Sequence, residues 1–316
     1  MPCYFPIQGW KARSLNGNGK RPIVFDQKHG YIDMPVSIAC GQCTGCRLER
    51  SRQWALRCMH EAKFHTEKMY VTLTYNDQHL PLGGTLIKNH FQNFMKRLRQ
   101  EFNPRYKKDF IGPRQKKNIR YFQCGEYGEQ LGRPHYHAII FGVDMPDKKA
   151  YKKNAQGHTL FKSALLESLW THGDCYIGAV TMQSAAYVAR YIMKKVGGEL
   201  APDHYRHVDT ETGEVTARLP EYITMSLKPA IGKTYYEKFA ADVFPSDFVI
   251  ENGRKHKPPN YYLKQLEKTD PAGSDAVKRR RVGRMARSKL DQTAERLAVR
   301  HEVKLARISK LKRDIH

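Results

Sequence analysis

Two histidines flank a single residue at His135-Tyr136-His137 and lead straight into Ala138-Ile139-Ile140-Phe141, an apolar run of strand-forming residues. The segment His135–Phe141 therefore reads as a β-strand. Residues i and i+2 of a strand share a face, so both imidazoles point the same way and are placed to grip one metal ion. A lone His-x-His pair is common and says little; its surroundings give it weight. Further along, Tyr187 and Tyr191 stand at i and i+4 in a helix-favouring stretch, with Lys194 three residues after Tyr191. That spacing stacks two phenols on one helical face, one turn apart.

The elements around these motifs alternate in type. Met69–Tyr75 is β-branched and aromatic, a strand. After a break at Pro81 and Gly83-Gly84, Thr85–Phe102 carries Leu86, Phe91, Phe94, Met95 and Leu98 on one helical stripe. A strand over Ile119–Cys124 follows, then a turn marked by Gly125, Gly128 and Gly132-Arg133-Pro134, then the histidine strand. A polar loop leads to a helix over Thr159–Trp170, a strand over Tyr176–Val180 and the tyrosine helix, which ends at Gly197-Gly198. This order predicts an α+β domain with the ferredoxin-like βαββαβ arrangement, an antiparallel sheet with helices on one face and the tyrosine helix after its last strand. Strands two and three form a hairpin at the sheet centre, a rigid platform for the histidines.

Three regions are expected. Residues 1–65 hold a short strand at Ile23-Val24-Phe25, a cysteine cluster and a helix over Arg47–Phe64. Residues 66–200 hold the sheet and both motifs. Residues 201–316 offer a strand over Tyr222–Leu227, a short helix over Gly232–Phe239 and a basic helical tail headed by Lys278-Arg279-Arg280-Arg281.

Charge narrows the partners. With 55 Lys and Arg against 31 Asp and Glu in 316 residues, the formal net charge is +24, which calls for a polyanion, nucleic acid first. A membrane role is not expected, because runs such as Ala138–Val143 are too short to span a bilayer. Met1-Pro2-Cys3-Tyr4 leads into polar residues without an apolar core, so a cytosolic place is expected. The seven cysteines then read as thiols or metal ligands. Cys40, Cys43 and Cys46 have metal-ligand spacing, and Cys3 is the candidate fourth thiolate of a structural Zn²⁺ site; the plainer alternative is a run of reduced thiols. Cys58, Cys124 and Cys175 lie within regular elements and read as small buried apolar residues. The tail and the loop runs Arg105–Lys108 and Lys116-Lys117 are expected to contact a nucleic-acid backbone.

Glu126 ends the strand before the hairpin turn, from where it can add a carboxylate to the face of His135 and His137; Glu129, in the turn, is a rival. Two imidazoles and a carboxylate with open positions suit Mg²⁺ or Mn²⁺ holding a phosphate oxygen. Aromatics at helical spacing usually pack a core, yet Arg190, Lys194 and Lys195 beside the tyrosines suit a phosphate site. A phenol, with a pKa near ~10, attacks poorly at neutral pH unless a nearby cation stabilises the charge that develops.

Thr72-Leu73-Thr74, the set Glu126/His135-Tyr136-His137 and Tyr187-x-x-x-Tyr191 resemble the three motifs of the HUH superfamily of rolling-circle replication initiators. Met1-Pro2-Cys3-Tyr4, Cys40-Gly41-Gln42-Cys43-Thr44-Gly45-Cys46-Arg47 and Gly125-Glu126-Tyr127-Gly128 look like the initiators of microviruses, the gokushovirus branch in particular. The resemblance implies a DNA nickase and strand transferase. One tyrosine cleaves an origin strand, leaving a 5′-phosphotyrosine and a 3′-OH that primes synthesis; the other acts when a full circle has been displaced. It implies Tyr187, Tyr191 and Lys194 as catalytic residues, with the neighbouring Lys195 as a rival for the lysine, and Glu126, His135 and His137 as metal ligands; the basic Arg133, Arg190 and Lys195 are expected on the DNA. It also implies a host helicase and DNA polymerase as partners in the bacterial cytoplasm. The competing readings are an HUH transposase or relaxase, and a non-catalytic, zinc-stabilised DNA-binding protein. Relaxases generally carry a third histidine ligand and an N-terminal nucleophile, which this order lacks.

Overall fold

The computed structural model describes residues 3–17, 19–103, 118–128, 131–154, 157–190, 195–196, 198–208 and 212–310. Tyr191, Lys194, Glu129 and the basic runs 105–108 and 116–117 lie outside the described residues. The chain divides into two compact units, Met1–Arg50 with Lys278–Lys312, and Ser51–Val277 with Arg313–His316.

In the first unit β1 (Ile7–Ala12), β2 (Ile23–Val24) and β3 (Gly30–Ile38) form a small antiparallel sheet, and α1 (Thr44–Ala62) begins. The second unit starts within α1 and continues through β4 (Lys68–Thr74), α2 (Lys88–Glu101), β5 (Arg120–Tyr127) and β6 (Pro134–Phe141). Next come β7 (Lys149–Lys153), β8 (Thr159–Lys162), α3 (Ala164–Trp170), β9 (Cys175–Gly178) and α4 (Met182–Arg190). A stretch of short elements follows: α5 (Ala201–His204), β10 (Arg206–Val208), β11 (Val215–Ala217), β12 (Tyr222–Met225), α6 (Lys233–Val243), β13 (Val249–Glu251) and β14 (Arg254–His256). Then come α7 (Asn260–Thr269) and α8 (Pro271–Ala286), whose later turns belong to the first unit, as does α9 (Ala294–Ser309).

The protein is thus α+β, built on a seven-stranded antiparallel sheet in the order β12-β5-β6-β4-β9-β8-β7. This sheet is larger than the sequence pattern foretold. β12, beyond residue 200, pairs with β5 as one edge, and the expected polar loop after β6 contains β7. The helix expected over Thr159–Trp170 begins only at Ala164. The β-prone Thr159–Lys162 pairs with β7, and Ser163 caps the helix by accepting the Leu166 N–H at 3.0 Å.

Nor do the helices keep to one face. Phe91, Phe94, Met95 and Leu98 of α2 and Leu166, Leu169 and Trp170 of α3 pack on Val71, Leu73, Tyr136, Ala138 and Ile140. Ala55, Cys58 and Ala62 of α1 and Ala185, Tyr187, Val188 and Ala189 of α4 pack on Tyr70, Phe122, Cys124, Ile139 and Phe141. The two sets alternate along β4, β5 and β6, as period-2 geometry requires. β6 is buried along its whole length, which is why its sequence reads as an almost unbroken apolar run. Cys58, Cys124 and Cys175 are all fully buried, as expected of small apolar residues.

Behind α1, a third cluster joins Leu56 to Tyr236, Tyr262, Leu266 and Val277. His60 is buried in its company, with Nδ1 at 2.7 Å from the Tyr262 hydroxyl and its ring stacked on Tyr235 at 3.7 Å. Burial, with lesser contributions from Lys63 and His256, pushes its pKa down to about 3. The unfolded chain takes up this proton near pH ~6.5 and the folded chain does not, so acid favours unfolding. Urea denaturation should show stability falling between about pH 6.5 and about pH 3, with His60 contributing at most ~1.4 kcal/mol per pH unit. A His60→Phe variant, which keeps the stacked ring, should show a shallower decline; an unchanged slope would mean that other groups set it.

Candidate active site

β5 and β6 are joined by a tight turn in which the Gly128 N–H donates to Arg133 O at 2.9 Å and Gly132 adopts φ 60°. The turn fixes the register, placing Glu126 opposite His135 and Cys124 opposite His137. On the other side of β6, β4 places Thr72 opposite His137. β5 runs on to Tyr127, so Glu126 sits within the paired strand and not at its end as expected. Side-chain alternation then turns Glu126, His135, His137, Tyr70 and Thr72 to the face covered by α1 and α4, while Tyr136 turns to the other.

Three ligand-type atoms meet on that face. Glu126 Oε1 lies 2.7 Å from His135 Nε2 and 2.9 Å from His137 Nε2. The second nitrogen of each ring is also held: His135 Nδ1 is 3.0 Å from the Arg133 carbonyl, and His137 Nδ1 is 3.0 Å from Thr72 Oγ1 and 2.8 Å from the Tyr70 hydroxyl. Such partners fix the rotation of a ligating imidazole and its tautomer. A carbonyl only accepts, so His135 carries a proton on Nδ1, which fixes the ring with Nε2 toward Glu126. Two imidazole nitrogens and one carboxylate oxygen this close together form a donor set that fits a divalent cation. Burial works to raise the Glu126 pKa, but the hydrogen bonds and charge of the two imidazoles outweigh it and hold the carboxyl at about 2. Glu126 is therefore an anion at 1% exposure.

α4 lies over this cluster. Tyr187, 7% exposed, sets its ring edge-on to His137 with centroids 5.0 Å apart, and the small Ala185 and Ala189 are buried on the same helix. The Arg190 guanidinium is 5.9 Å from the Tyr187 ring centroid. Lys195 is exposed. Arg133 donates to Asp77 Oδ1 at 2.5 Å and to the Tyr75 carbonyl at 3.0 Å, so its side chain ties the β5–β6 turn to the end of β4. The structure thus brings Glu126, His135, His137 and Tyr187 together. It adds Tyr70 and Thr72, whose period-2 placement on β4 was readable although their pairing partner was not.

The first unit holds a second group, in which the Sγ atoms of Cys3, Cys40, Cys43 and Cys46 all lie within 4.8 Å of one another. Burial works against ionisation of Cys43, but amide and thiol hydrogen bonds bring its pKa down to about 6. Among the described residues no helix is long and apolar enough to cross a membrane.

The chain has relatives among known proteins. The family model for the replication-associated protein ORF2/G2P matches residues 68–196, a stretch that begins with β4 and includes α4. Replication-associated protein VP4 of Bdellovibrio phage phiMH2K is 34% identical over 273 residues, covering 86% of this chain and 79% of the relative. Replication-associated protein ORF2 of Spiroplasma virus 4 is 29% identical, covering 85% and 81%. Replication-associated protein ORF4 of Chlamydia phage 1 is 26% identical, covering 77% and 57%. No solved structure matches. The resemblance to phage replication initiators drawn from the motifs is borne out: the chain belongs to the family of phage replication-associated proteins.

Proposed function

We propose that this protein initiates rolling-circle replication by nicking one DNA strand through attack of a tyrosine on a phosphodiester. The observation that carries this reading is the meeting of Glu126, His135 and His137 on one sheet face, directly beneath Tyr187. The strand order β5-β6-β4-β9, with α2 and α3 in the connections, fits the ferredoxin-like arrangement of HUH enzymes, with residues 66–200 as the catalytic part. Glu126, His135 and His137 would hold Mg²⁺ or Mn²⁺, which when bound draws electron density from a phosphate oxygen.

The chain's own groups do the rest. The Arg133 carbonyl, Thr72 and Tyr70 keep both imidazoles in place. The tyrosine oxygen bonds to phosphorus as the bond from phosphorus to the 3′ oxygen breaks. The phenol gives up its proton and the 3′ oxygen gains one, which yields a 5′-phosphotyrosine and a free 3′-OH. Lys194, assigned by resemblance, and Arg190 offset the negative charge that develops. Reversal of the same step by a new 3′-OH rejoins the strand. Initiation needs one covalent linkage, whereas release of a circle needs a second nucleophile while the first 5′ end is still attached; Tyr187 and Tyr191 share that work. Arg133, Arg190, Lys195 and the basic segments contact the DNA backbone, and a net charge of +24 supports this. In the bacterial cytoplasm a host helicase unwinds the duplex and the host DNA polymerase extends the 3′-OH.

A labelled single-stranded fragment of the phage's own origin, incubated with the protein and Mn²⁺, should become covalently attached through Tyr187 or Tyr191. Absence of any adduct across fragments tiling the origin would favour the non-catalytic, DNA-binding reading. The His135→Ala/His137→Ala double variant should lose cleavage while keeping most DNA affinity, because binding rests on dispersed phosphate contacts.

Thr72→Val removes the hydroxyl beside His137 with little change in volume. It should raise the Mn²⁺ concentration needed for cleavage by about 10–100-fold. An unchanged Mn²⁺ dependence would show that Thr72 only packs.

Each of Tyr187→Phe and Tyr191→Phe should still cleave single strands but fail to release closed circles, and the double variant should be inert. Normal circle production by either single variant would overturn the division of labour.

A further inference from the structure

The first unit poses a stability problem that its sequence does not solve with apolar residues. Among its described residues only three apolar side chains are buried, those of Cys3, Ala12 and Leu297. Phe5, Phe25, Ile32 and Met34 of the same unit are exposed. Small structural units short of a hydrophobic core are commonly held by a disulfide or a metal. All four cysteines here are free thiols.

Their arrangement is that of a ligand shell. Cys3 Sγ lies 3.7 Å from Cys40 Sγ and 4.0 Å from Cys43 Sγ, and Cys40 Sγ lies 4.0 Å from Cys46 Sγ. Four thiolates in a tetrahedron around a zinc ion, each ~2.3 Å from the metal, stand about 3.8 Å from one another. Backbone amides point at the sulfurs as well. The Cys40 N–H donates to Cys3 Sγ at 3.3 Å, the Cys43 N–H to Cys40 Sγ at 3.3 Å, and the Tyr4 N–H to Cys43 Sγ at 3.5 Å. Amide donors stabilise sulfur in its anionic form, which is the form that binds a metal.

We propose that Cys3, Cys40, Cys43 and Cys46 form a closed tetrathiolate Zn²⁺ site that replaces the missing core of the first unit. Four protein ligands leave no position for water or substrate, so the role is structural. The ion ties the residues before β1 to the loop after β3 and the first turn of α1. Cys3 is thereby anchored beside Tyr4 and Phe5, whose rings pack on His301 of α9 at 5.0 and 5.1 Å. The proposal stands independently of the nicking reading, since none of its residues belongs to the Glu126 cluster.

The full-length protein, purified without chelators, should retain about one zinc per chain by elemental analysis, and the His135→Ala/His137→Ala variant should retain it too. Cys40→Ser/Cys43→Ser should lose it. Stripping the wild-type protein with a strong chelator should raise hydrogen exchange in residues 3–50 and expose four additional thiols to a thiol reagent. Reloading with Co²⁺ should give the sulfur-to-metal charge-transfer bands of a tetrathiolate. If the double cysteine variant does not fold, the wild-type protein still decides. Metal-free protein whose four thiols react at once in the native state overturns the site, and iron in place of zinc overturns the metal.

Discussion

The pairing of β5 with β6 determines where the carboxylate and both imidazoles of the candidate site lie. Glu126 faces His135 across the hairpin, and His137 comes two residues later on the same side. A slip of one residue would swing Glu126 to the opposite face, among the side chains packed by α2 and α3, and leave both imidazoles without their carboxylate. Two features prevent it. The turn through Gly128 and Gly132 closes with its own backbone hydrogen bonds, and β4 locks β6 from the other side with Thr72 against His137. The hydroxyl that completes the register also orients the ring, so one strand pairing serves both folding and chemistry.

Covering the sheet on both faces has an electrostatic consequence. Glu126 and His137 are almost without solvent, at 1% and 0% exposure, while His135 keeps 9%. Charges in such a place interact more strongly than in water, and each must be satisfied by a neighbour. The structure meets that demand with the Arg133 carbonyl, the Tyr70 phenol and the Thr72 hydroxyl. His135 is the least buried of the three.

Much of this was legible in the sequence, for physical reasons. Buried strands such as β4 and β6 announce themselves by composition, and the stripe on α2 by its period. The site residues share one face because strand and helix periods are fixed quantities. What escaped notice has no such signature. β7 is exposed at every residue and lysine-rich, so it resembles a loop, and β8 is short enough to be absorbed into the helix behind it. β12 joins the sheet from beyond residue 200, a pairing no local pattern encodes. The second helical layer depends on α1, whose apolar positions show that one face is buried but not against what. The extent of β5 past Cys124 was hidden by Gly125, which normally marks a break; here a Cβ would lie 2.9 Å from the Tyr222 ring, so glycine lets β12 and its tyrosine close on the strand.

An open sheet has two edges, and each is a template for unwanted growth. β7 ends this one: among the described residues no strand pairs with its outer side, and such an edge seeds aggregation when chains crowd together. Its residues Lys149, Lys152 and Lys153 place like charges along that border. A second molecule trying to add its own β7 would bring the same lysines face to face, in antiparallel or parallel register alike. The repulsion discourages edge-to-edge sheet extension, and it does so with residues that contribute almost nothing to the packed interior.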